Sequence, residues 1–248
     1  MIKLSVNINK LATLRNSRGE NNPNLIDYTK KILALGVDSI TIHPRPDERH
    51  ITLQDVFELS DFFSQLSQKI EFNIEGFPDD RYVEILSKVR PTQATLVPDS
   101  PEVLTSNAGW SITSNQEFLH RIFTKIRPYV QRISLFVDVN NINAREIEFL
   151  KEEKIQRVEL YTQEFAENFK NNDTLRKYYQ CSRMLLAAGL ELNAGHDLNL
   201  ENLPTLIKTI PEIKEVSIGH ALFCESLLYS MPTTINRYLN ILRDNNHG

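Results

Sequence analysis

The sequence predicts an α/β protein, a (β/α)8 TIM barrel built as a single domain over residues 1–248. Three observations predict it. Eight short runs of β-type residues alternate with longer amphipathic stretches. No Pro/Gly/Ser-rich linker or block of like charge divides the chain. The segment after the first run, "NINKLATLRNSRG", lacks the glycine-rich turn that a doubly wound open sheet would place there.

In order, the runs are KLSVNI (3–8), SITIH (39–43), IEFNIE (70–75), ATLVP (94–98), ISLFVD (133–138), RVELYT (157–162), LELNAG (190–195) and VSIGH (216–220). Pro44 and Pro46 stop the second, because a proline has no N–H to give to a ladder or a helix. Helical stretches include "NLIDYTKKILALG" (24–36), "TLQDVFELSDFFSQLSQ" (52–68) and "NLENLPTLIKTI" (199–210). In the last, Leu200, Leu203, Leu206 and Ile210 recur at helical spacing and make one apolar face. Asp79, Asn115 and Asn199 stand where side chains cap helix N-termini, and Gly36 and Gly189 lie just past helix ends.

Hydrophobic residues make up 41% of the chain and charged ones 24%, an ordinary globular balance. The net charge of −4 argues against nucleic acid or an anionic membrane as the main partner. No apolar run approaches the ~20 residues of a membrane helix, and "MIKLSVNINK" has no signal-peptide core. Cys181 and Cys224 lack metal-type spacing and read as two reduced thiols, which fits a cytoplasmic protein.

The C-terminal strand ends of such a barrel carry its chemistry, because loops from all eight units converge there. Here those ends are Asn7, His43, Glu75, Pro98, Asp138, Thr162, the Asn193–His196 turn and Gly219–His220, at one mouth of what reads as a hydrophobic cylinder. A lone histidine after a strand is usually structural. Three of the six, on strands two, seven and eight, point to function. Glu75 beside His43, with His196 across the ring, could move protons at two ends of a substrate. Arg15, Arg18, Arg45 and Arg49 cluster after the first two strands, which points to phosphate capture through bidentate contacts. "NAGHDLN" and "SIGHALF" follow strands seven and eight, where barrels often hold phosphate on a short helix N-terminus. Two anion sites, one on each side of the mouth, are therefore expected. A zinc site from His43, Glu75, His196 and His220 is the alternative on ligand type. The first strand ends in "NIN", without the His-x-His of metal-dependent barrel hydrolases, and the basic residues already supply positive charge.

"VNINKLATLRNSRG", "TIHPRPDERHIT", "FNIEG", "LVPDSPEVLTSNAG", "SLFVD", "LNAGHDL" and "IGHA" together resemble the pyridoxine 5′-phosphate synthase family, in order and over essentially the whole chain. The resemblance implies a cytoplasmic, transferase-class barrel that uses neither metal nor cofactor. It condenses 3-amino-2-oxopropyl phosphate with 1-deoxy-D-xylulose 5-phosphate and releases inorganic phosphate and water, a step of vitamin B6 biosynthesis. By the same resemblance His43 and Glu75 match the two general bases and His196 the proton donor. Asn7, Arg18, Gly219 and His220 match positions that hold the aminoketone phosphate, and Arg45, His50 and Thr105 positions that hold deoxyxylulose phosphate. A homo-octamer is implied in the same way.

Two departures stand out. The family usually reads Asp-His where this chain has Asn9-Lys10, and those positions help to hold deoxyxylulose phosphate. Lys10 is expected to serve that substrate as a point charge at the start of a loop. The family also usually has glycine where Asp197 follows His196, and an acid there should repel phosphate unless it turns away. The long polar stretch over 99–114 is expected to be a lid, with Gly109 as hinge. Apart from the metal hydrolase, the remaining alternative is a degenerate barrel that binds phosphorylated ligands without turnover.

Overall fold

The computed structural model describes residues 1–99 and 108–244. Its strands are β1 (Lys3–Asn7), β2 (Ser39–Ile42), β3 (Glu71–Gly76), β4 (Gln93–Leu96), β5 (Arg132–Val137), β6 (Arg157–Tyr161), β7 (Glu191–Gly195) and β8 (Glu215–Ile218). All neighbours pair in parallel, and β8 returns to β1 to close the barrel. The (β/α)8 expectation holds.

Helices cover the outside: α1 (Asn9–Asn16), α2 (Leu25–Leu33), α3 (Leu53–Ser64), α4 (Asp80–Val89), α5 (Gln116–Ile126), α6 (Ala144–Glu152), α7 (Gln163–Glu167), α8 (Asn172–Ala187), α9 (Leu203–Thr209), α10 (His220–Tyr229) and α11 (Met231–Asp244). Local chemistry sets their ends. Thr52 and Asp55 form a reciprocal capping box on α3, and Asp79 accepts from the Tyr82 N–H at the start of α4. Each such cap contributes about 1 kcal/mol. Gly36 and Gly189 adopt φ of +91° and +84° just beyond α2 and α8, the region that a side chain resists. Asn199 accepts from the N–H groups of Glu201 and Asn202, so it caps a turn ahead of α9 rather than α9 itself. Asn115 caps nothing; a 3-10 turn over Thr113–Asn115 leads into α5, and its amide donates to the Ser111 carbonyl.

The cylinder is not hydrophobic inside, contrary to expectation. Each strand alternates, and, apart from Phe136 of β5, which lies beside Tyr161 on the inner face, its apolar residues face outward to the helices. Leu4, Val6, Ile40, Ile42, Ile74, Leu96, Leu135, Val158, Leu160, Leu192 and Val216 are all fully buried there. The other face turns polar residues into the lumen. The Ser5 and Thr41 hydroxyls share a hydrogen bond of 2.7 Å, Asn73 donates to Thr41 at 3.1 Å, and Thr95 donates to Asn73 at 3.0 Å. Lower down, Arg132 bonds Gln93 and Glu71, and Arg157 bonds Glu191. A Cβ on Gly195 would overlap the Glu159 carboxylate, which would have to move to admit one.

Deeper burial in this lumen raises Glu75, Glu159 and Glu215, whereas Glu71, bonded to Lys3 and Arg132, is lowered. Burial, then the neighbouring Glu215, pushes Glu159 up to about 8. An acid raised in the folded state releases its proton later than in the unfolded chain. Stability from that difference is complete below the unfolded value and drains away as pH rises towards 8. Glu159→Gln removes the titration. The melting temperature of the variant minus that of the wild type should therefore climb between pH 5 and pH 8. A difference that stays flat across that range would place a charged Glu159 in the folded protein at all pH values.

Candidate active site

The wall made by β1, β2 and β3 is tied together by two asparagines. The Asn7 Oδ1 accepts from the Asn9 N–H at 3.1 Å, and the Asn9 Oδ1 accepts from the His43 N–H at 3.0 Å. His43 thus leaves the ladder one residue past the end of β2, held by a side chain instead of a neighbouring strand. Asn7 also donates to the Glu75 Oε2 at 3.4 Å. The His43 Nδ1 then lies 3.9 Å from that same oxygen. Asn9 and Lys10 belong to the first turn of α1 and not to a loop, and the Asn7 side chain, two residues before, accepts from the first N–H of that turn.

Electrostatics push both members of the His43–Glu75 pair towards neutrality. Burial lowers His43 to about 3, and the positive charge of Arg45 adds to it, followed by His50 and Arg49. Burial raises Glu75 well above the carboxylate range, helped by Glu159, Asp99 and Glu215. Both shifts favour the uncharged form, of the imidazole and of the carboxyl that faces it.

Arg45 is buried and lies 3.7 Å from the Asp99 carboxylate. His50 accepts from the Ile51 N–H through Nδ1 at 2.9 Å, so its ring carries hydrogen on Nε2. Its ring centroid is 6.2 Å from that of His43. Burial, then Arg45 and Lys10, lower it to about 4. Lys10 is exposed, yet its charge is felt at His50. Arg45, Arg49, His50 and Lys10 thus make one basic side of the mouth.

On the other side, β7 stands four strands from β3 in the ring. His196 follows it at φ +92° and Asp197 at φ +57°. The Thr162 hydroxyl donates to the carbonyls of Gly195 and His196, and Asn202 donates to the Asp197 carbonyl. The His196 Nδ1 meets the Asp197 Oδ2 at 2.8 Å, and its ring sits edge-on to Tyr161 with centroids 5.0 Å apart. Gly219 follows β8 so close to Asn7 that an added Cβ would lie 3.2 Å from the Asn7 Cβ. His220 opens α10, and its Nε2 is 3.5 Å from the Cys224 sulfur.

Some expected residues stand elsewhere. Arg15 forms a bidentate pair with Asp55, with Nη2 to Oδ2 at 2.7 Å, and so fastens α1 to α3 instead of facing the mouth. Arg18 is exposed beyond α1, and its guanidinium makes no hydrogen bond or ion pair to a described residue. Thr105 lies outside the described residues, as do residues 100–107 of the expected lid. Gly109, the expected hinge, packs so closely that a Cβ there would strike the backbone of Val137 and Asp138. Trp110 donates from its backbone to Phe136 and from its indole to Leu96, which anchors this end of the segment. Among the described residues no three His, Cys, Asp or Glu side chains group as metal ligands, so the four considered for zinc do not form such a set. Asp99 and Tyr161 were not anticipated. Tyr161 shares the inward alternation of Arg157 and Glu159, a signal present in "RVELY".

The fold and its rim define a closed parallel (β/α)8 barrel with titratable groups on facing walls of one mouth and basic residues beside one of them. The family model described as pyridoxal phosphate biosynthesis protein PdxJ matches residues 4–244. The chain belongs to this family. It is 43% identical over 245 residues to the pyridoxine 5′-phosphate synthase of Cytophaga hutchinsonii, covering 98% of this chain and 100% of that one. It is 42% identical over 240 residues to the enzyme of the same name from Parabacteroides distasonis, covering 96% and 98%. Among solved structures, a phosphoribosyl anthranilate isomerase from Thermotoga maritima matches at a TM-score of 0.62 and 13% identity, covering 98% of this chain and 100% of that one. A mutant tryptophan synthase α-subunit from Pyrococcus furiosus matches at a TM-score of 0.62 and 10% identity, covering 97% and 96%. These last two show the barrel fold alone.

The asparagine tie makes a prediction about the first departure. Aspartate at position 9 offers the same acceptor to the His43 N–H, so Asn9→Asp should keep turnover and melting temperature close to wild type. Asn9→Ala leaves a part-buried N–H unmet, a cost of about 1–3 kcal/mol. It should lower both melting temperature and kcat. Equal behaviour of the two variants would refute the tie.

Proposed function

We propose that this chain is a pyridoxine 5′-phosphate synthase. It joins 3-amino-2-oxopropyl phosphate to 1-deoxy-D-xylulose 5-phosphate and releases inorganic phosphate and water. The observation that carries the reading is the His43–Glu75 pair, 3.9 Å apart, where burial favours the uncharged form of each partner. The ammonium of the aminoketone must lose a proton before its nitrogen attacks the ketone, and neutral His43 can take it. Water leaves to give an imine, for which Glu75 can supply the proton and then act as a base in the later enolisation. Departure of phosphate needs positive charge or a proton on its oxygens, a role that fits His196 on the facing wall.

Arg45, His50 and Lys10 serve the phosphate of deoxyxylulose phosphate in this reading, and Asn7, Arg18, Gly219 and His220 that of the aminoketone. Thr105 joins the deoxyxylulose side. A phosphate dianion near Arg45 and Arg49 offsets the charges that lower His43, so substrate arrival moves this base towards the operating pH. No step requires a metal, a redox cofactor or a nucleic acid. A single-domain cytoplasmic enzyme fits the composition, and among the described residues no helix is long and apolar enough to cross a membrane. Self-association, to an octamer by resemblance, is supported by Leu227 and Leu228 at the end of α10, which are 87% and 77% exposed.

Incubation of the purified protein with both substrates should yield pyridoxine phosphate and one equivalent of inorganic phosphate. Its absence, with a folded protein, would favour a binding-only barrel. His43→Ala and Glu75→Gln should each cut kcat by about 10²–10⁴-fold while leaving the melting temperature near wild type. A His43→Ala variant with most of its activity would remove that residue from the mechanism. Lys10→Ala should raise KM for deoxyxylulose phosphate, spare KM for the aminoketone and leave kcat nearly unchanged. Equal effects on both substrates, or on neither, would return Lys10 to solvent.

A further inference from the structure

We infer that Asp197 is a positioning residue for His196, forming with it a carboxylate–imidazole dyad that sets which ring nitrogen exchanges protons with substrate. The inference rests on the reading of His196 as the proton donor.

Three observations carry it. The first is the contact: the His196 Nδ1 and the Asp197 Oδ2 are 2.8 Å apart, a normal charge-assisted hydrogen bond. Only a protonated Nδ1 can donate to a carboxylate, so the ring proton sits there and Nε2 becomes the exchanging nitrogen. The second is the backbone. Position 197 has φ +57°, which explains why glycine suits it, and aspartate is one of the few side chains that tolerate this region. The residue therefore meets the backbone demand and adds an acceptor beside the histidine. The third is rigidity. Thr162 holds the His196 carbonyl at 2.6 Å, Asn202 holds the Asp197 carbonyl at 3.0 Å, and the Tyr161 ring stands edge-on to the imidazole.

The carboxyl is also committed as an anion: the hydrogen bond from His196 holds it below the usual carboxylate range, against burial. Its charge is thus turned onto the ring rather than left to repel phosphate. In the forward step a proton leaves Nε2 for a substrate oxygen, and the ring remains neutral with its other proton still on Nδ1. An unpartnered imidazole would divide its neutral population between two tautomers and two ring orientations. The dyad removes that freedom, in the way that a third group orients the base of a nucleophile–base pair.

Asp197→Asn and Asp197→Gly test it, since both fit the positive φ. The direct readout is the two-bond 1H–15N correlation spectrum of the His196 ring, with His196→Gln used for assignment. Wild type should show the Nδ1–H tautomer, and both variants should lose it. Turnover should fall by roughly 10-fold in both, with both KM values within about twofold, because orientation acts on the chemical step. An unchanged tautomer with unchanged kcat would overturn the dyad, as would a fall in KM for either phosphate substrate at constant kcat, which would make Asp197 a mere repulsive neighbour. His196→Gln with full turnover would instead overturn the reading of His196 itself, whatever the Asp197 variants do.

Discussion

The alternation within each strand is the constraint from which the rest follows. Side chains of a β-strand point in turn to opposite faces. In this barrel one face must meet the helices and the other must meet seven other strands. The outward set is aliphatic, so the hydrophobic core is a shell between strands and helices. The lumen is then free to hold hydroxyls, amides, guanidinium groups and carboxyls, provided each finds partners. That arrangement has a chemical effect at the mouth. Glu75, Glu159 and Glu215 share a region poor in solvent, and the proton affinity of the upper one depends on the two below. A barrel filled with valine and leucine would still raise Glu75 by burial, the larger cause, but would remove the added push of these neighbours.

Much of this was legible in the sequence, and the gaps have physical causes. Eight strands, their order and the histidine, glutamate and asparagine residues at their ends could be read from local patterns. Polar residues at every second position, as in "KLSVN" and "EFNIEG", also marked the lumen face. That pattern is easily misread, since alternation ordinarily signals a sheet with one wet face. In a closed barrel the same signal means a polar interior.

Pairing between distant segments was not legible. Arg15 reads as one more arginine near a phosphate site, and only the packing of α1 on α3 brings it to Asp55. The tie from Asn9 to His43 spans 34 positions and rests on a backbone N–H, which has no letter in the sequence. Gly109 looked like a hinge because glycine permits motion. Here it permits close packing against β5, the opposite consequence of the same missing side chain.

The two cysteines differ in a way that has a practical outcome. Cys181 is buried in α8, and burial pushes its thiol up to about 12, which makes it inert to mild reagents. Cys224 is exposed one helical turn along α10, with its sulfur beside His220. A maleimide or a fluorescent haloacetamide will therefore label one position and leave the other untouched. No engineered residue is needed to put a spectroscopic reporter at the lip of the barrel. On the proposed reading, a phosphate held at the neighbouring end of α10 would change the environment of that dye.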